Sequence, residues 1–330
     1  MKIFITGGTG LLGSNIIKIL TNKKHKIINS FYGKSPEMNA SVETCEMNLM
    51  DFDDIDKNLR KYMPDVLIHC AAAIDKKEIE LGKDNAWKNM VEGTKVLATT
   101  ARDINCSFVF ISSDWVFDGT SKLINETSVP FPVNFYGVMK LVSEREIAAI
   151  ENLHYSICRV AALYGINYQI PGDTRSVQTL GWSDLVTYYI KCILHNKPLH
   201  VWEGENVNYI AAPTYSLDAA KMISIVAENN YSGTFHTFTN ESINRLDLAD
   251  KVKSIYKSDL PVYITNPDQI IIDEHFNVNV PYACVTDNSY TYNKLKYDCS
   301  INSGITEFKK ELEKVKLNKY KLLDNSYYGY

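Results

Sequence analysis

The sequence contains no long apolar run and no dense run of basic residues. No stretch approaches the roughly 20 apolar residues that a helix needs to span a bilayer. Lys and Arg total 35 against 39 Asp and Glu, which gives a formal net charge of −4. Nucleic acids and anionic membrane surfaces are usually bound through concentrated positive charge, which this chain lacks. We therefore expect neither a membrane partner nor a nucleic-acid partner.

The chain also lacks the spacing patterns of metal centres and disulfide frameworks. Its seven cysteines are odd in number and scattered, and none stand at CxxC spacing. Its seven histidines never pair at metal-ligand spacing. Neither a metal site nor a set of disulfides is predicted. An apolar leader with a small-residue cleavage site is also missing, so we expect a cytoplasmic protein.

What the sequence does contain is an alternation of short apolar runs with longer helical patterns over its first 165 residues. The predicted strands are 2–6, 26–30, 66–71, 107–111 and 156–160, and the predicted helices are 11–20, 51–62, 85–101 and 134–150. Near-continuous apolar strands separated by helices are typical of a parallel sheet that is covered on both faces. Right-handed crossovers then give a doubly wound, Rossmann-type α/β fold.

The character of the sequence changes after residue 165. Residues 166–182 are polar and loop-like, as in segments that close over a ligand. Helical patterns return at 182–195, 217–228, 246–256 and 305–315, with fewer strands between them. We predict a dinucleotide-binding domain over 1–165, rejoined by about 207–236. A smaller C-terminal α/β substrate-binding lobe would comprise 166–206 and 237–330.

A glycine-rich segment joins the first predicted strand to the first predicted helix. It reads Thr6-Gly7-Gly8-Thr9-Gly10-Leu11-Leu12-Gly13, with glycines 7, 10 and 13 in a GxxGxxG pattern. Gly7 permits the tight turn, Gly10 lets the backbone approach a pyrophosphate, and Gly13 allows close helix–strand packing. Because the flanking strand and helix are both present, the segment predicts a dinucleotide site rather than a bare turn. The residues assigned to it are Gly7, Thr9, Gly10, Leu11, Leu12 and Gly13.

The end of the second predicted strand bears on the choice of cofactor. Sites that prefer NAD usually place an acid there to hold the ribose 2′-hydroxyl. This chain reads Asn29-Ser30-Phe31-Tyr32-Gly33-Lys34, so no acid repels a 2′-phosphate. Ser30 and Lys34 are candidates to contact one, although Lys34 is equally explained as a solvated loop residue. NADP is therefore favoured, with NAD as the alternative.

Tyr136 and Lys140 stand four residues apart in a predicted helix, which places them on one face. A Tyr hydroxyl that gives a proton to a carbonyl has an ordinary pKa near 10. A cationic Lys one turn away would lower that pKa and could grip the nicotinamide ribose. The same spacing recurs at Tyr290/Lys294 and Tyr292/Lys296, outside the alternating half. We interpret those C-terminal pairs as surface residues.

Ser113 follows the predicted strand 107–111 on the carboxyl side. Parallel sheets of this kind bind their ligands in the crevice at that edge. The Ser113 hydroxyl would orient a substrate carbonyl, or it would simply cap the following turn.

Together these segments resemble the extended short-chain dehydrogenases, in the dTDP-4-dehydrorhamnose reductase-like branch. The most specific matches are residues 111–120, Ile-Ser-Ser-Asp-Trp-Val-Phe-Asp-Gly-Thr, and residues 132–140, Pro-Val-Asn-Phe-Tyr-Gly-Val-Met-Lys. That branch typically shows S-[ST]-D-x-V-F-D-G and then P-x-N-x-Y-G-x-x-K. The resemblance covers most of residues 1–250. It implies that Ser113, Tyr136 and Lys140 are catalytic, that NAD(P)H is the reductant, and that the substrate is a nucleotide-linked 4-keto-6-deoxysugar.

The resemblance implies further contacts. Asn48 and Leu49 would border the adenine, and Ala71, Ala72 and Ala73 would lie along the phosphate and ribose of the cofactor. Residues 166–210 would shape the sugar-nucleotide pocket. The residues assigned to the substrate beside Ser113 are Val116, Phe117 and Arg175, of which Arg175 is equally explained as a solvated surface residue. Members of this family commonly form dimers, so a homodimer is compatible with the resemblance.

Two departures leave the sugar open. The rhamnose enzymes usually carry a Trp shortly after the Arg of the sixth strand, where this chain reads Arg159-Val160-Ala161-Ala162-Leu163, and residues 166–182 match no substrate signature. An epimerase or dehydratase is one alternative, although Asp114 is followed by Trp115 and not by the Glu of dehydratases. The branch also resembles a regulatory subunit of methionine adenosyltransferase with a similar S-S-D-x-V-F-D-G-T segment. A non-catalytic, NADP-binding regulatory role is therefore a second alternative.

Overall fold

The computed structural model describes residues 1–33, 36, 41–72, 79, 82–169, 182, 184–204, 207–267 and 279–314. The strands are β1 Lys2–Thr6, β2 Lys26–Phe31, β3 Val42–Glu46, β4 Val66–His69, β5 Ser107–Ser113, β6 Tyr155–Val160, β7 Leu163–Tyr164, β8 Leu199–Trp202, β9 Ile210–Ala211, β10 Thr214–Tyr215, β11 Gly233–His236, β12 Ile243–Asn244 and β13 Val262–Thr265. The helices are α1 Leu11–Thr21, α2 Phe52–Tyr62, α3 Lys83–Trp87, α4 Gly93–Asp103, α5 Phe135–Ala148, α6 Leu185–Leu194, α7 Ser216–Glu228, α8 Arg245–Tyr256, α9 Ser289–Leu295 and α10 Ile301–Lys314.

A seven-stranded sheet in the order β3-β2-β1-β4-β5-β6-β11 organises the molecule. Every pair of neighbouring strands in it is parallel. The strand order reverses direction between β1 and β4, which creates the crevice at the carboxyl edge where such sheets bind ligands. The doubly wound fold predicted from the sequence is confirmed.

Both faces of this sheet are covered, and the central strand β1 carries apolar residues toward both sides. Ile3 and Ile5 of β1 face a core that includes α1 and α7. Phe4, between them, faces the opposite core, which includes α2 and α4. All three side chains are 0% exposed. A period of two with apolar residues on both sides is the pattern of a strand buried between two helical layers.

Two elements differ from the sequence-based predictions: β3 was not predicted, and one predicted helix is interrupted. β3 reads Val-Glu-Thr-Cys-Glu and lies at the sheet edge, where polar residues interrupt the apolar pattern. The helix predicted over 85–101 is interrupted instead by a π-helical turn, Lys88–Glu92, between α3 and α4.

The second lobe is built from small two-stranded sheets and from the helices α6, α8 and α10. The strand pairs are β7 with β10, β8 with β13 and β9 with β12. A separate apolar core joins Tyr189, Leu248 and Phe308 of the three helices. The lobe boundaries drawn from the sequence stay a prediction, and we note that β11 and α7 belong to the seven-stranded sheet and its covering layer.

The tyrosines of the two C-terminal Tyr/Lys pairs differ in how far they are exposed. Tyr290 is 53% exposed, as expected of a surface residue. Tyr292 is half-buried, and its hydroxyl donates to the Cys299 carbonyl oxygen at 3.1 Å. The interpretation of Tyr292 as a surface residue was therefore wrong, because its hydroxyl bonds a buried chain segment. Within the described ranges, no helix is both long enough and apolar enough to cross a membrane.

Candidate active site

The glycine-rich turn leaves β1 and enters α1 with three glycines in distinct environments. Gly7 has φ +70°, and a Cβ there would lie 2.5 Å from the Ala71 nitrogen. A Cβ at Gly13 would lie 2.3 Å from the Gly7 carbonyl oxygen. Gly7 and Gly13 are thus required by close backbone packing. Gly10 has φ −74°, and among the described residues a Cβ there would meet only the Gly7 oxygen, at 3.3 Å. The outer side of Gly10 is open, which suits the approach of a pyrophosphate to a helix N-terminus.

A buried hydrogen-bond chain fixes the end of β4 beside this turn. Thr6 Oγ1 lies 2.6 Å from His69 Nδ1 and accepts from the Ala71 backbone N–H at 3.2 Å. His69 Nε2 lies 2.9 Å from Thr94 Oγ1. Burial, followed by the nearby charge of Lys140, lowers the pKa of His69 to about 3, so the ring is neutral. His69 therefore joins β1, β4 and α4 through hydrogen bonds.

Three candidate catalytic residues are positioned by β5 and α5. Asn134 caps α5, its side-chain oxygen accepting from the Gly137 N–H at 2.8 Å. A Cβ at Gly137 would lie 2.2 Å from the Trp115 carbonyl oxygen, so α5 packs directly on the turn after β5. Lys140 is 4% exposed and donates from Nζ to the Ile111 carbonyl oxygen at 2.8 Å. This nitrogen lies 5.9 Å from the centroid of the Tyr136 ring.

The pKa of Tyr136 differs from the value expected from the sequence. Burial, and then the charge of Asp114, raise the pKa of Tyr136 above its usual value, while a hydrogen bond with Ser113 opposes the shift. The expected net lowering of the Tyr136 pKa by Lys140 is therefore wrong, because the loss of solvent outweighs the favourable contacts. Burial also lowers the pKa of Lys140 to about 8.

Asp114 is a site residue to which the sequence reading gave no role. It is 4% exposed, and burial raises its pKa to about 6 against hydrogen bonds from Ser113 and Cys284. Ser113 Oγ donates to Asp114 Oδ1 at 3.1 Å and accepts from the Trp115 N–H at 3.2 Å. Ser113 thus caps the turn after β5, and it also lines the cavity of the candidate active site. The signal available for Asp114 in the sequence was its place in the S-[ST]-D-x-V-F-D-G segment, directly after Ser113.

A cavity of about 610 Å³ joins the glycine-rich turn to these groups. The residues predicted from the sequence that line it are Gly7, Thr9, Gly10, Leu11, Leu12, Gly13, Ala71, Ala72, Ser113, Tyr136 and Lys140. Asp114 lines it too. The candidate cofactor-binding and candidate catalytic residues therefore share one continuous space.

Other candidate residues lie elsewhere. Ser30 and Leu49 are 5% and 8% exposed, and Asn48 accepts from the Met50 N–H at 3.0 Å within its own turn. Val116 and Phe117 pack in an apolar cluster with Ile124 and Cys284. The structure therefore does not bring Val116 and Phe117 to the cavity wall, because their side chains are buried in that cluster. Lys34, Ala73 and Arg175 lie outside the described residues.

The cavity continues into the second lobe, where its wall includes Trp182, Asp184, Asn208 and Ala211. Trp182 is 4% exposed, and its Nε1 donates to the Asn208 carbonyl oxygen at 2.8 Å. Arg245 donates from Nε to the same oxygen at 2.9 Å. Over the ranges that the structure describes, no cluster of three His, Cys, Asp or Glu side chains is arranged to hold a metal ion.

Comparisons with known proteins agree with this geometry. A family model described as the RmlD substrate binding domain matches residues 1–267. The chain is similar to methionine adenosyltransferase 2 subunit beta of Bos taurus, 29% identical over 256 residues that cover 75% of this chain and 70% of the relative. It is also similar to a probable low-salt glycan biosynthesis reductase of Haloferax volcanii, 26% identical over 268 residues, with 78% and 81% covered. The solved structure of a dTDP-4-dehydrorhamnose reductase from Clostridium acetobutylicum superposes with a TM-score of 0.73 at 25% identity, over 95% of this chain and 100% of the other.

Proposed function

The chain belongs to the RmlD substrate binding domain family, and from this premise we propose that it is an NADP-dependent reductase of a nucleotide-linked 4-keto-6-deoxysugar. The observation that carries the proposal is the single cavity shared by the glycine-rich turn and by Ser113, Tyr136 and Lys140. Two of the similar proteins are named as reductases, and one of them acts on a dTDP-linked sugar.

The chain's own groups fit a dinucleotide. The open side of Gly10 and the N-terminus of α1 face the cavity, and Ala71 and Ala72 add small side chains beside them. These residues would hold the pyrophosphate and ribose, with NAD as the alternative to NADP. The bound dinucleotide would supply the hydride. No acidic side chain stands at the end of β2, which is the feature that favours the 2′-phosphate.

Tyr136 would donate the proton that the carbonyl oxygen needs as it is reduced. Its raised pKa keeps the phenol protonated at neutral pH but also makes it a weaker acid, so a bound cofactor and substrate would have to bring the pKa down for efficient proton donation. Ser113 would hydrogen-bond the same oxygen and orient it. Lys140 would hold the ribose through its ammonium group, which is charged below a pH of about 8. The ammonium is held in place by its bond to the Ile111 carbonyl oxygen.

Substituting Tyr136→Phe tests the assignment. We expect a loss of at least about 100-fold in kcat with NADPH affinity unchanged, because general acid catalysis typically contributes that much. NADPH oxidation with a panel of nucleotide 4-ketosugars is the measurement. Tyr290→Phe is the matched control, since Tyr290 has the same spacing to a Lys but is 53% exposed. A Tyr136→Phe variant with wild-type turnover would show that the proton comes from elsewhere.

The similarity to a methionine adenosyltransferase subunit supports a second candidate, a cofactor-binding subunit without turnover. The same panel separates the two. Tight NADPH binding without oxidation by any ketosugar, together with co-purification with a methionine adenosyltransferase, would favour this second role.

A further inference from the structure

One buried polar atom in the second-lobe wall of the cavity is left without a hydrogen bond. The side-chain oxygen of Asn208 is buried, and no group in the described residues donates a hydrogen bond to it. The residue itself is 1% exposed and belongs to the cavity wall. A buried acceptor without a partner lowers the free energy of unfolding, so its presence calls for a reason.

The backbone around this oxygen is held firmly. The Asn208 carbonyl accepts from the Trp182 indole and from the Arg245 guanidinium, at 2.8 and 2.9 Å. Arg245 is 0% exposed and its side-chain carbon Cζ lies 5.8 Å from the centre of the Trp182 ring. Two buried donors thus fix the backbone of Asn208, while its carboxamide oxygen accepts no hydrogen bond from the described residues. A preorganised, unsatisfied acceptor of this kind is suited to a ligand that brings a donor.

We infer that Asn208 is a specificity-determining residue whose side-chain oxygen accepts a hydrogen bond from the sugar nucleotide. The inference rests on the proposed function, because it assigns Asn208 to the substrate of that same cavity. The ligand group must be a donor, either a hydroxyl of the sugar or an N–H of the base. A diphosphate offers only acceptors at neutral pH, so it cannot satisfy this oxygen.

The test compares the wild type with Asn208→Leu, which keeps a similar shape but removes the acceptor. The probes are UDP-, dTDP-, GDP- and CDP-glucose and their parent nucleoside diphosphates, titrated by calorimetry onto the NADPH-loaded protein. We expect affinity for the preferred nucleotide sugar to fall about tenfold, as for one lost hydrogen bond. NADPH affinity should be unchanged, and Tm should be equal or higher because an unpartnered polar atom has gone.

A matched control removes a buried hydroxyl that, like the Asn208 oxygen, has no hydrogen-bond partner among the described residues. Thr187 of α6 is 1% exposed, its Oγ1 has no hydrogen-bond partner, and it lies outside the cavity wall given above. Thr187→Val should match Asn208→Leu in Tm but leave nucleotide-sugar affinity at the wild-type value. If the Leu side chain lowers Tm, Asn208→Ala replaces it, since Ala adds no atoms to the wall.

The outcomes are distinct. If only the nucleotide sugar is weakened, the donor is a hydroxyl of the diphosphate-linked sugar; if the parent diphosphate is weakened equally, the donor belongs to the nucleoside, either a base N–H or a ribose hydroxyl. Unchanged nucleotide-sugar affinity in both Asn208 variants overturns the inference and leaves the proposed function standing. A wild type that binds NADPH but none of the four nucleotide sugars overturns the proposed function and this inference with it.

Discussion

Asp114 is the carboxyl group in contact with the Ser113 hydroxyl, and its protonation decides what that hydroxyl does. When Asp114 is ionised, the single hydrogen of Ser113 is donated to Asp114 Oδ1, 3.1 Å away. When Asp114 is protonated, it can donate to Ser113 and release that hydrogen toward a substrate carbonyl. The raised pKa, about 6, places this exchange within reach of ordinary assay conditions.

We therefore expect kcat/KM for carbonyl reduction to fall as pH rises through about 6, with a second fall above about 8 as Lys140 loses its charge. A pH–rate profile measures both. In Asp114→Asn the fall near 6 should vanish, since the amide does not titrate, and the fall near 8 should remain. A profile in which Asp114→Asn keeps the lower inflection would assign that inflection to another group.

Single residues were predictable from the sequence where their neighbours along the chain define their role. Ser113 and Tyr136 were predicted from their segments, and both line the cavity, while their catalytic roles stay a prediction. The hydrogen bonds of His69 and Asn208 could not be predicted from the sequence. His69 bonds with Thr94, and the Asn208 carbonyl accepts from Trp182 and Arg245. Such roles depend on contacts between residues that are far apart in the chain, and local spacing carries no signal for them.

Among the elements, the turn between β1 and α1 permits a substitution that separates binding from folding. Gly10 has φ −74°, an extended conformation that Ala adopts without strain, and its added methyl would meet only the Gly7 oxygen at 3.3 Å. We expect Gly10→Ala to change the free energy of unfolding by less than about 1 kcal/mol. NADPH affinity should fall at least tenfold, because the methyl occupies the surface that a pyrophosphate approaches.

Gly13→Ala is the comparison for this prediction. Its methyl would lie 2.3 Å from the Gly7 oxygen, so the backbone must shift. We expect it to lose both NADPH affinity and about 1–3 kcal/mol of stability. Fluorescence titration and chemical denaturation measure the two quantities. If Gly10→Ala bound NADPH as the wild type does, the pyrophosphate would have to lie away from this turn.

The elements of the sheet were predictable because apolar runs and helical periods alternate, and β1 and β2 were located to within one residue. The small sheets of the second lobe were not predicted. Strands of two residues such as β7 and β10 carry no periodicity, and their pairing is set by the packing of α6, α8 and α10 around them.

For the molecule as a whole, α10 is the helix that completes the second core. Phe308 is 0% exposed, and its ring lies 5.7 Å from Tyr164 and 5.9 Å from Tyr215 between ring centroids. We expect Phe308→Ala to lower the free energy of unfolding by about 3–5 kcal/mol. Urea denaturation followed by circular dichroism measures it. Phe131→Ala is the control, since Phe131 is 71% exposed and its loss should cost less than about 0.5 kcal/mol.

If the cores of the two lobes unfold together, Phe308→Ala should lower the free energy of unfolding in a single cooperative denaturation transition. Composition and alternation along the chain predicted the class of fold, but not how strongly α10 is packed into the core of the second lobe. That coupling depends on three aromatic rings separated by up to 144 positions in sequence, a count that follows from Tyr164 and Phe308.

Residues 166–168, which follow β7, are hydrogen-bonded to the segment that opens α1. Asn167 Nδ2 donates to the Thr9 carbonyl oxygen at 2.9 Å, and Asn15 Nδ2 donates to the Ile166 carbonyl oxygen at 2.9 Å. The Tyr168 N–H donates to Ser14 Oγ at 3.2 Å. A chimera that exchanges the following segment between relatives should therefore be spliced after Tyr168. A splice upstream of Ile166 would replace the Asn167 side chain and with it the bond to the Thr9 carbonyl oxygen.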